Sequence, residues 1–311
     1  HDVVRVEVAG GEGIEICCSD PRVPCDATNT CWKIAERVLK TVGRQSKVVI
    51  TIEKHLPVQG GMGAASSNAV ATLLGLERAL NLTVSPLDKL RIAAEVGSDL
   101  PLFLIGGTVL GVDHGQEVYA LQDLPVIVMV VVTPPVGVST PQAFAQWDAL
   151  MEQADTDEAI GVASYEMAQS ALTAANVTGT IKEFDQVVFA WWSESLLSRA
   201  RPAEGPASGV PALGGDRAET PLLDLVRTGI ENDFERVVFP EYPELREVKS
   251  VLQREGARYA SLSGSGSTLY GLFGSDREAG AAAERLRAAG HAAVATKTLT
   301  REEFWKQLVV G

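Results

Sequence analysis

Residues 54–72, KHLPVQGGMGAASSNAVAT, constrain this chain more than any other stretch. An alternating apolar run ends at the turn-forming Pro57, three glycines follow, and residues 69–80 have the apolar spacing of a helix. The pattern predicts a strand, a loop almost without side chains and a helix N-terminus in succession. Such a loop lets backbone N–H groups approach an anion, and the helix end adds unpaired donors. The expected ligand is therefore a phosphate group.

The loop matches neither of two common phosphate-binding patterns. No Gly-Lys-Ser/Thr closes it, and it lacks the acidic residue that follows the second strand in a dinucleotide fingerprint. A plain glycine-rich turn with Ser66 or Ser67 as the helix cap also fits. For one such loop by itself the plainer interpretation is favoured, so other stretches must decide.

Length and composition limit the kinds of function. The 311 residues suffice for one large or two ordinary domains, and 46% hydrophobic and 22% charged residues are typical of soluble globular proteins. The formal net charge of -13 argues against a nucleic-acid surface, which needs a basic stripe. The longest apolar run, residues 126–132, is too short to span a membrane and predicts a strand covered on both faces. A cytoplasmic protein is expected.

The four cysteines do not predict a metal site. Cys17 and Cys18 are neighbours on a predicted strand and point to opposite faces, and no C-x-x-C spacing occurs. The four histidines show no metal-binding spacing either. Reduced, structural thiols are predicted.

The order of predicted elements indicates two halves. Residues 3–8 and 13–17 predict two strands joined by a turn, and the following helix is capped by Asp26 or Thr28. Ser85-Pro86 begins another helix, after the one predicted over residues 69–80. The chain closes with the order helix, strand, strand, helix, strand, which is typical of a split βαβ sandwich. Between the halves, residues 155–200 have a loose helical pattern, and residues 202–220, rich in Pro, Gly, Ala and Ser, predict a mobile surface loop.

Three stretches together resemble the GHMP kinase superfamily of ATP-dependent small-molecule kinases. They are PVQGGMGAASSNA, GSDLPLFLIGG and SLSGSGSTLYGLF, which begin at residues 57, 97 and 261. Four further features are similar to the branch that phosphorylates the 2-hydroxyl of 4-diphosphocytidyl-2-C-methyl-D-erythritol in the non-mevalonate isoprenoid pathway: residues 66–69 (SSNA), the GSDLP stretch, residues 137–140 (GVST) and residues 232–235 (NDFE). The resemblance spans nearly the whole chain apart from residues 155–220.

The resemblance implies an α+β protein of two domains. Residues 1–135 would form a ribosomal-S5-like, ATP-binding domain, and residues 136–311 a ferredoxin-like split βαβ domain. The implied partner is a small molecule, a cytidine diphosphate-linked methylerythritol, and the implied state is a monomer or homodimer that binds neither nucleic acid nor membrane.

Asp99 lies where the family has its catalytic aspartate. Phosphoryl transfer to an alcohol needs a group that accepts or orients the hydroxyl proton. The alternative is a helix cap, because Ser98 or Asp99 before Pro101 makes a good helix start. The two glycine-rich motifs that accompany Asp99 favour the catalytic role.

The resemblance also implies two binding sets. The nucleotide set is Asn29, Lys54, Pro57, Gly60, Gly61, Met62, Gly63, Ala64, Ala65, Ser66, Ser67 and Asn68. Ser66 or Ser67, with Ser67 preferred, would also lie near Mg²⁺. Asn29 equally fits a helix cap, and Lys54 a solvated surface residue. The substrate set is Thr140, Pro141, Phe144, Gly264, Ser265 and Gly266. Phe144 would stack on the base, with a place in the helix core as its alternative.

One departure from the family raises an alternative. The family's opening strand, with its Pro-Ala-Lys motif, does not occur in this sequence. Either the sequence is truncated, or the first domain lacks that strand, in which case an inactive nucleotide-binding homologue is the alternative. A separate alternative is another GHMP kinase, acting on a sugar, mevalonate or homoserine.

Overall fold

The computed structural model describes residues 1–112, 115–156 and 232–308, and elements are numbered over these residues. By contacts the chain divides into two units, His1–Val126 with Leu299–Gly311, and Ile127–Thr298. The loop predicted at 202–220, and the helical pattern predicted beyond residue 156, lie outside the described residues.

Unit 1 is an α/β unit built on a three-stranded sheet. Its elements are β1 (Val3–Ala9), β2 (Gly13–Cys18), α1 (Thr30–Val42), β3 (Lys47–Glu53), α2 (Ala64–Ala79), α3 (Pro86–Val96), α4 (Leu100–Ile105), β4 (Val109–Val112), β5 (Glu117–Ala120) and α9 (Arg301–Leu308). One face of β3 is buried, and it packs with α1 and α2 in a single hydrophobic core.

The sheet of unit 1 corrects the predicted pairing of the first two strands. Its order is β1-β3-β2, so β3 lies between them, antiparallel to β1 and parallel to β2. A parallel pair needs a crossover connection, and α1 supplies one between β2 and β3. All three strands alternate in sequence, and alternation does not say which strand is central.

Two helix starts depend on side-chain caps. Ser85 Oγ accepts a hydrogen bond from the Asp88 backbone N–H at the start of α3, which confirms that prediction. The predicted cap of α1 is wrong, because Asn29 caps this helix while Asp26 accepts hydrogen bonds from the Thr28 side chain and backbone.

Unit 2 is a four-stranded antiparallel sheet with helices. Its elements are β6 (Val128–Val132), α5 (Thr140–Thr156), α6 (Glu235–Glu241), α7 (Pro243–Arg254), β7 (Tyr259–Leu262), β8 (Leu269–Phe273), α8 (Asp276–Ala288) and β9 (Ala293–Lys297). The order β7-β8-β6-β9 is that of a split βαβ sandwich, as predicted. On β6, Val130 and Val132 are buried in the main core, whereas Met129 and Val131 on the other face are only partly buried, so the predicted coverage of both faces is incomplete.

The division into units differs from the predicted domain boundary at 135/136. Strand β6 pairs only within unit 2, among the described residues, and α9 belongs to unit 1. The Arg301 guanidinium holds α9 there by donating hydrogen bonds to the carbonyls of Gly106, Thr108 and Leu121. The boundary of the two family domains stays a prediction.

Among the described residues, no helix has both the length and the apolar character needed to cross a membrane.

Candidate functional site

The glycine-rich loop of unit 1 ends in a helix N-terminus that no side chain caps. Helix α2 begins at Ala64, before the predicted start at residue 69, and its N-cap is Gly63, in a left-handed conformation with φ 62°. The first intrahelical bond runs from Ser67 N–H to Gly63 O (2.8 Å). The proposed cap role of Ser66 or Ser67 is therefore wrong, since both lie inside the helix. The N–H groups of residues 64–66 have no acceptor within the helix and are suited to an anion.

Side chains hold the first turn of α2 from two sides. Ser67 Oγ donates a hydrogen bond to the Ala64 carbonyl (3.0 Å), and Thr30 Oγ1, from α1, donates one to the Ala65 carbonyl (3.0 Å). Because Ser67 uses its proton in this bond, its oxygen lone pairs stay available to a cation or a donor. Sequence reasoning missed Thr30, because its role depends on how α1 packs against α2.

Asp99 is the N-cap residue of α4 by position, but its side chain forms no capping hydrogen bond. The side chain is exposed, and the backbone is in the right-handed helical region. The Asp99 carboxylate forms neither a hydrogen bond nor an ion pair with any residue that the structure describes. The helix-cap alternative therefore has no support, and the carboxylate is available to a substrate hydroxyl.

Two members of the predicted nucleotide set are bound to a carboxylate that sequence reasoning missed. Lys54 Nζ and Asn68 Nδ2 both donate to Asp2 Oδ2, at 2.6 and 2.8 Å. Lys54 is thus buried in an ion pair, and its interpretation as a solvated residue is wrong. The pairing of Val3 with Glu53 places Asp2 opposite Lys54. The missing signal was this β1–β3 register.

Asn29, also in the nucleotide set, is a buried cap. Its Oδ1 accepts from the Cys31 backbone N–H (2.8 Å), and its Nδ2 donates to the Pro24 carbonyl (2.6 Å). Both ends of the amide are therefore used inside the protein, as the cap alternative proposed.

Unit 2 brings together members of the predicted substrate set. Ser265 Oγ donates a hydrogen bond to Thr140 Oγ1 (3.0 Å), which joins the second glycine-rich segment to the first turn of α5. Phe144 lies one turn further along α5 and is 50% exposed, with its ring centroid 4.8 Å from that of Phe234 in an edge-on contact. Phe144 is therefore not part of the helix core, which was the alternative interpretation.

The NDFE motif, residues 232–235, anchors the second glycine-rich segment. Asn232 Nδ2 donates to the carbonyls of Leu262 (2.9 Å) and Gly264 (2.7 Å). The Glu235 carboxylate accepts hydrogen bonds from Ser261 Oγ and Leu262 N–H and forms an ion pair with Lys249. The motif was noticed in the sequence, but this anchoring role was not.

No cluster of three or more His, Cys, Asp or Glu residues that could hold a metal ion occurs in the part of the chain that the structure describes. Mg²⁺ bound to a nucleotide needs no such cluster, because phosphate oxygens and water supply most of its ligands. Ser67 and the uncapped start of α2 therefore fit a magnesium-bound nucleotide.

Comparison with known proteins identifies the family. Residues 29–107 match the family "GHMP kinases N terminal domain", and residues 219–292 match "GHMP kinases C terminal". The chain is 31% identical over 276 residues to the 4-diphosphocytidyl-2-C-methyl-D-erythritol kinase of Prosthecochloris aestuarii, covering 88% of this chain and 78% of that protein. The chain belongs to the GHMP kinases. The superfamily and the α+β fold predicted from the sequence are confirmed.

Solved structures of other GHMP kinases have the same fold. A crystal structure of 4-(cytidine 5'-diphospho)-2C-methyl-D-erythritol kinase is 25% identical and aligns with a TM-score of 0.60, over 95% of this chain and 85% of that one. A homoserine kinase from Cytophaga hutchinsonii aligns with a TM-score of 0.63 at 18% identity, over 96% of this chain and 86% of that one. At that identity the likeness to the homoserine kinase concerns the fold alone.

Proposed function

We propose that this GHMP kinase transfers the γ-phosphoryl group of ATP to the 2-hydroxyl of 4-diphosphocytidyl-2-C-methyl-D-erythritol, as a step in the non-mevalonate isoprenoid pathway. The observation that carries the proposal is the relative of that name, 31% identical over most of both chains. The solved kinase for the same substrate supports it at 25% identity.

ATP binding is assigned to the glycine-rich loop and the start of α2. The free N–H groups of residues 64–66 would bind the phosphates, since a helix N-terminus carries a partial positive charge. Gly63, in the left-handed region, adds no side chain of its own at that point. Mg²⁺, held by the phosphates and Ser67 Oγ, would offset the negative charge of the transferred group.

Asp99 is assigned as the group that accepts or orients the proton of the attacking hydroxyl. Its support is the exposed carboxylate, which has no partner among the described residues. The hydroxyl oxygen attacks the γ-phosphorus, the bond to the β,γ-bridging oxygen breaks, and ADP leaves. The hydroxyl proton passes to the Asp99 carboxylate or to water that it orients.

The substrate is assigned to unit 2. Phe144 offers an exposed aromatic face for the cytosine ring, and Thr140 and Ser265 offer hydroxyl groups beside it. Because both substrates are soluble metabolites, we place the enzyme in the cytoplasm, as a monomer or homodimer.

A substrate panel tests the proposal. The purified protein is incubated with ATP, Mg²⁺ and one acceptor at a time: the cytidyl substrate, mevalonate or homoserine. We expect ADP release and a phosphorylated product, identified by mass spectrometry, with the cytidyl substrate alone. Turnover of homoserine or mevalonate at a higher kcat/KM would refute the substrate, and nucleotide binding without transfer to any acceptor would refute the activity.

A further inference from the structure

We propose that Asp2 is a positioning residue for the nucleotide, because its buried carboxylate ties together the two ends of the glycine-rich loop. The proposal rests on the assignment of that loop to ATP. Asp2 itself touches neither substrate.

All acceptor positions of the Asp2 carboxylate are occupied. Its side chain is 0% exposed. Oδ1 accepts hydrogen bonds from the backbone N–H groups of His55 and Leu56, both at 2.8 Å, and Oδ2 accepts from Lys54 Nζ (2.6 Å) and Asn68 Nδ2 (2.8 Å). Four charge-assisted hydrogen bonds converge on one group, and such bonds are about twice as strong as neutral ones.

The donors come from the two ends of the loop. Residues 54–56 lead out of β3 into the loop, and Asn68 lies in the first part of α2, just after the turn assigned to the phosphates. A single carboxylate therefore fixes where residues 57–67 begin and where they end. No other described side chain bonds to both ends.

The loop between these ends has a backbone that would otherwise be loose. Gln59 (φ 59°), Gly61 (φ 74°) and Gly63 (φ 62°) are in the left-handed region, and glycine loses more conformational freedom on ordering than other residues. A loop ordered before the nucleotide arrives avoids that entropy loss on binding. Fixing both ends of the loop is therefore expected to increase the affinity for ATP.

The ion pair between Asp2 and Lys54 makes a buried carboxylate compatible with an anionic ligand nearby. Burial raises the pKa of Asp2, but the hydrogen bonds from Leu56, Lys54, His55 and Asn68 together outweigh it, and the net pKa is lowered. The carboxylate is thus ionised at neutral pH, and Lys54 beside it cancels its charge near the phosphates. A group so engaged is not a proton acceptor for the reaction, unlike Asp99.

The test compares Asp2→Asn with a matched control, Glu77→Gln. Glu77 is also a buried carboxylate of unit 1, and it accepts from Lys89 Nζ (2.9 Å) and from a backbone N–H, that of Val84 (2.7 Å), at the other end of α2. Both substitutions remove a buried charge and lower stability, but only Asp2 contacts the loop.

We expect Asp2→Asn to raise the KM for ATP roughly tenfold with kcat at saturating ATP little changed, because only the cost of ordering the loop increases. Amide hydrogen exchange should speed up in residues 55–63 in Asp2→Asn, and not in Glu77→Gln. If Asp2→Asn does not fold, Asp2→Glu keeps the charge, displaces the carboxylate, and should shift both quantities in the same direction by less.

An unchanged KM for ATP, or an equal shift of KM in Glu77→Gln, would overturn the positioning role. The exchange measurement needs no activity, so it separates the two claims. If the wild-type protein binds no nucleotide, the proposed function is wrong. If amide hydrogen exchange in residues 55–63 is the same in wild type and Asp2→Asn, the positioning role of Asp2 is wrong.

Discussion

The ring of Phe103 occupies the space that a side chain at position 63 would need. A Cβ built on Gly63 would lie 2.5 Å from Phe103 Cζ, far inside contact distance. Phe103 is on α4, the helix that starts directly after Asp99. Glycine at position 63 therefore lets the helix that follows Asp99 pack against the end of the glycine-rich loop.

Gly63→Ala is expected to destabilise unit 1 more than Gly43→Ala does. Both glycines are left-handed, with φ 62° and 63°, so both substitutions carry about 1–2 kcal/mol of backbone strain. Nothing lies within 4 Å of a Cβ at position 43, whereas the Phe103 contact adds about 1–3 kcal/mol of overpacking at position 63.

Urea denaturation of the two variants measures this difference, and ATP kinetics should show a raised KM for Gly63→Ala only. Equal losses of unfolding free energy in the two variants would show that the Phe103 ring does not restrict the residue at position 63.

Local features of the fold and the strand order of unit 2 could be predicted, but the pairing of the strands of unit 1 could not. Ser85 followed by Pro86 is a helix start that depends on adjacent residues, and the structure confirms it. The position of β3 between β1 and β2 depends on contacts far apart in sequence. The early start of α2 was missed because residues 64–67 are small and carry no apolar periodicity.

The same limit explains what was missed in the candidate site. Asp99 and the glycines could be predicted as candidate site residues because they lie in motifs of contiguous residues. Asp2 lies 52 residues from its partner Lys54, and Glu235 lies 26 residues from Ser261, so neither contact has a local signal. The way in which these residues hold the loops in place could therefore not be predicted until the strand pairing was known.

Glu235→Gln is expected to loosen the second glycine-rich segment. It removes the ion pair with Lys249 and weakens the hydrogen bonds from Ser261 and Leu262, at a cost of about 1–3 kcal/mol for a mostly buried charged acceptor. Hydrogen exchange in residues 261–267 should accelerate. The control is Glu247→Gln, whose pair with Arg254 is exposed and should change stability little. Unchanged exchange in residues 261–267 would contradict the anchoring role.

Phe144→Ala should weaken binding of the cytidyl substrate and leave ATP binding unchanged. Stacking of one base on an aromatic ring contributes about 1–3 kcal/mol, so the KM for that substrate should rise roughly 5- to 150-fold. The ring is half exposed, so the melting temperature should change little. Steady-state kinetics with each substrate varied in turn would measure this, and a KM for the cytidyl substrate equal to wild type would remove Phe144 from the site.

Cys31 should resist alkylation in the folded protein. Burial raises the pKa of its thiol to about 11, and the side chain is 1% exposed, whereas Cys17 and Cys25 are exposed thiols. The reactive form is the thiolate, so at pH 8 Cys17 and Cys25 should react first and Cys31 only on unfolding. Peptide mapping after timed alkylation measures the order. Modification of Cys31 as fast as Cys17 in the native protein would contradict this burial.

The most direct measurement of the central claim is the turnover of Asp99→Asn with ATP and the cytidyl substrate, beside wild type and Glu244→Gln. Glu244 is an exposed carboxylate in the first turn of α7, and it controls for loss of a charge at a helix start. If Asp99 accepts or orients the hydroxyl proton, kcat should fall about 10²- to 10⁴-fold while ADP affinity and Glu244→Gln activity stay near wild type. Near-normal turnover by Asp99→Asn would contradict the account.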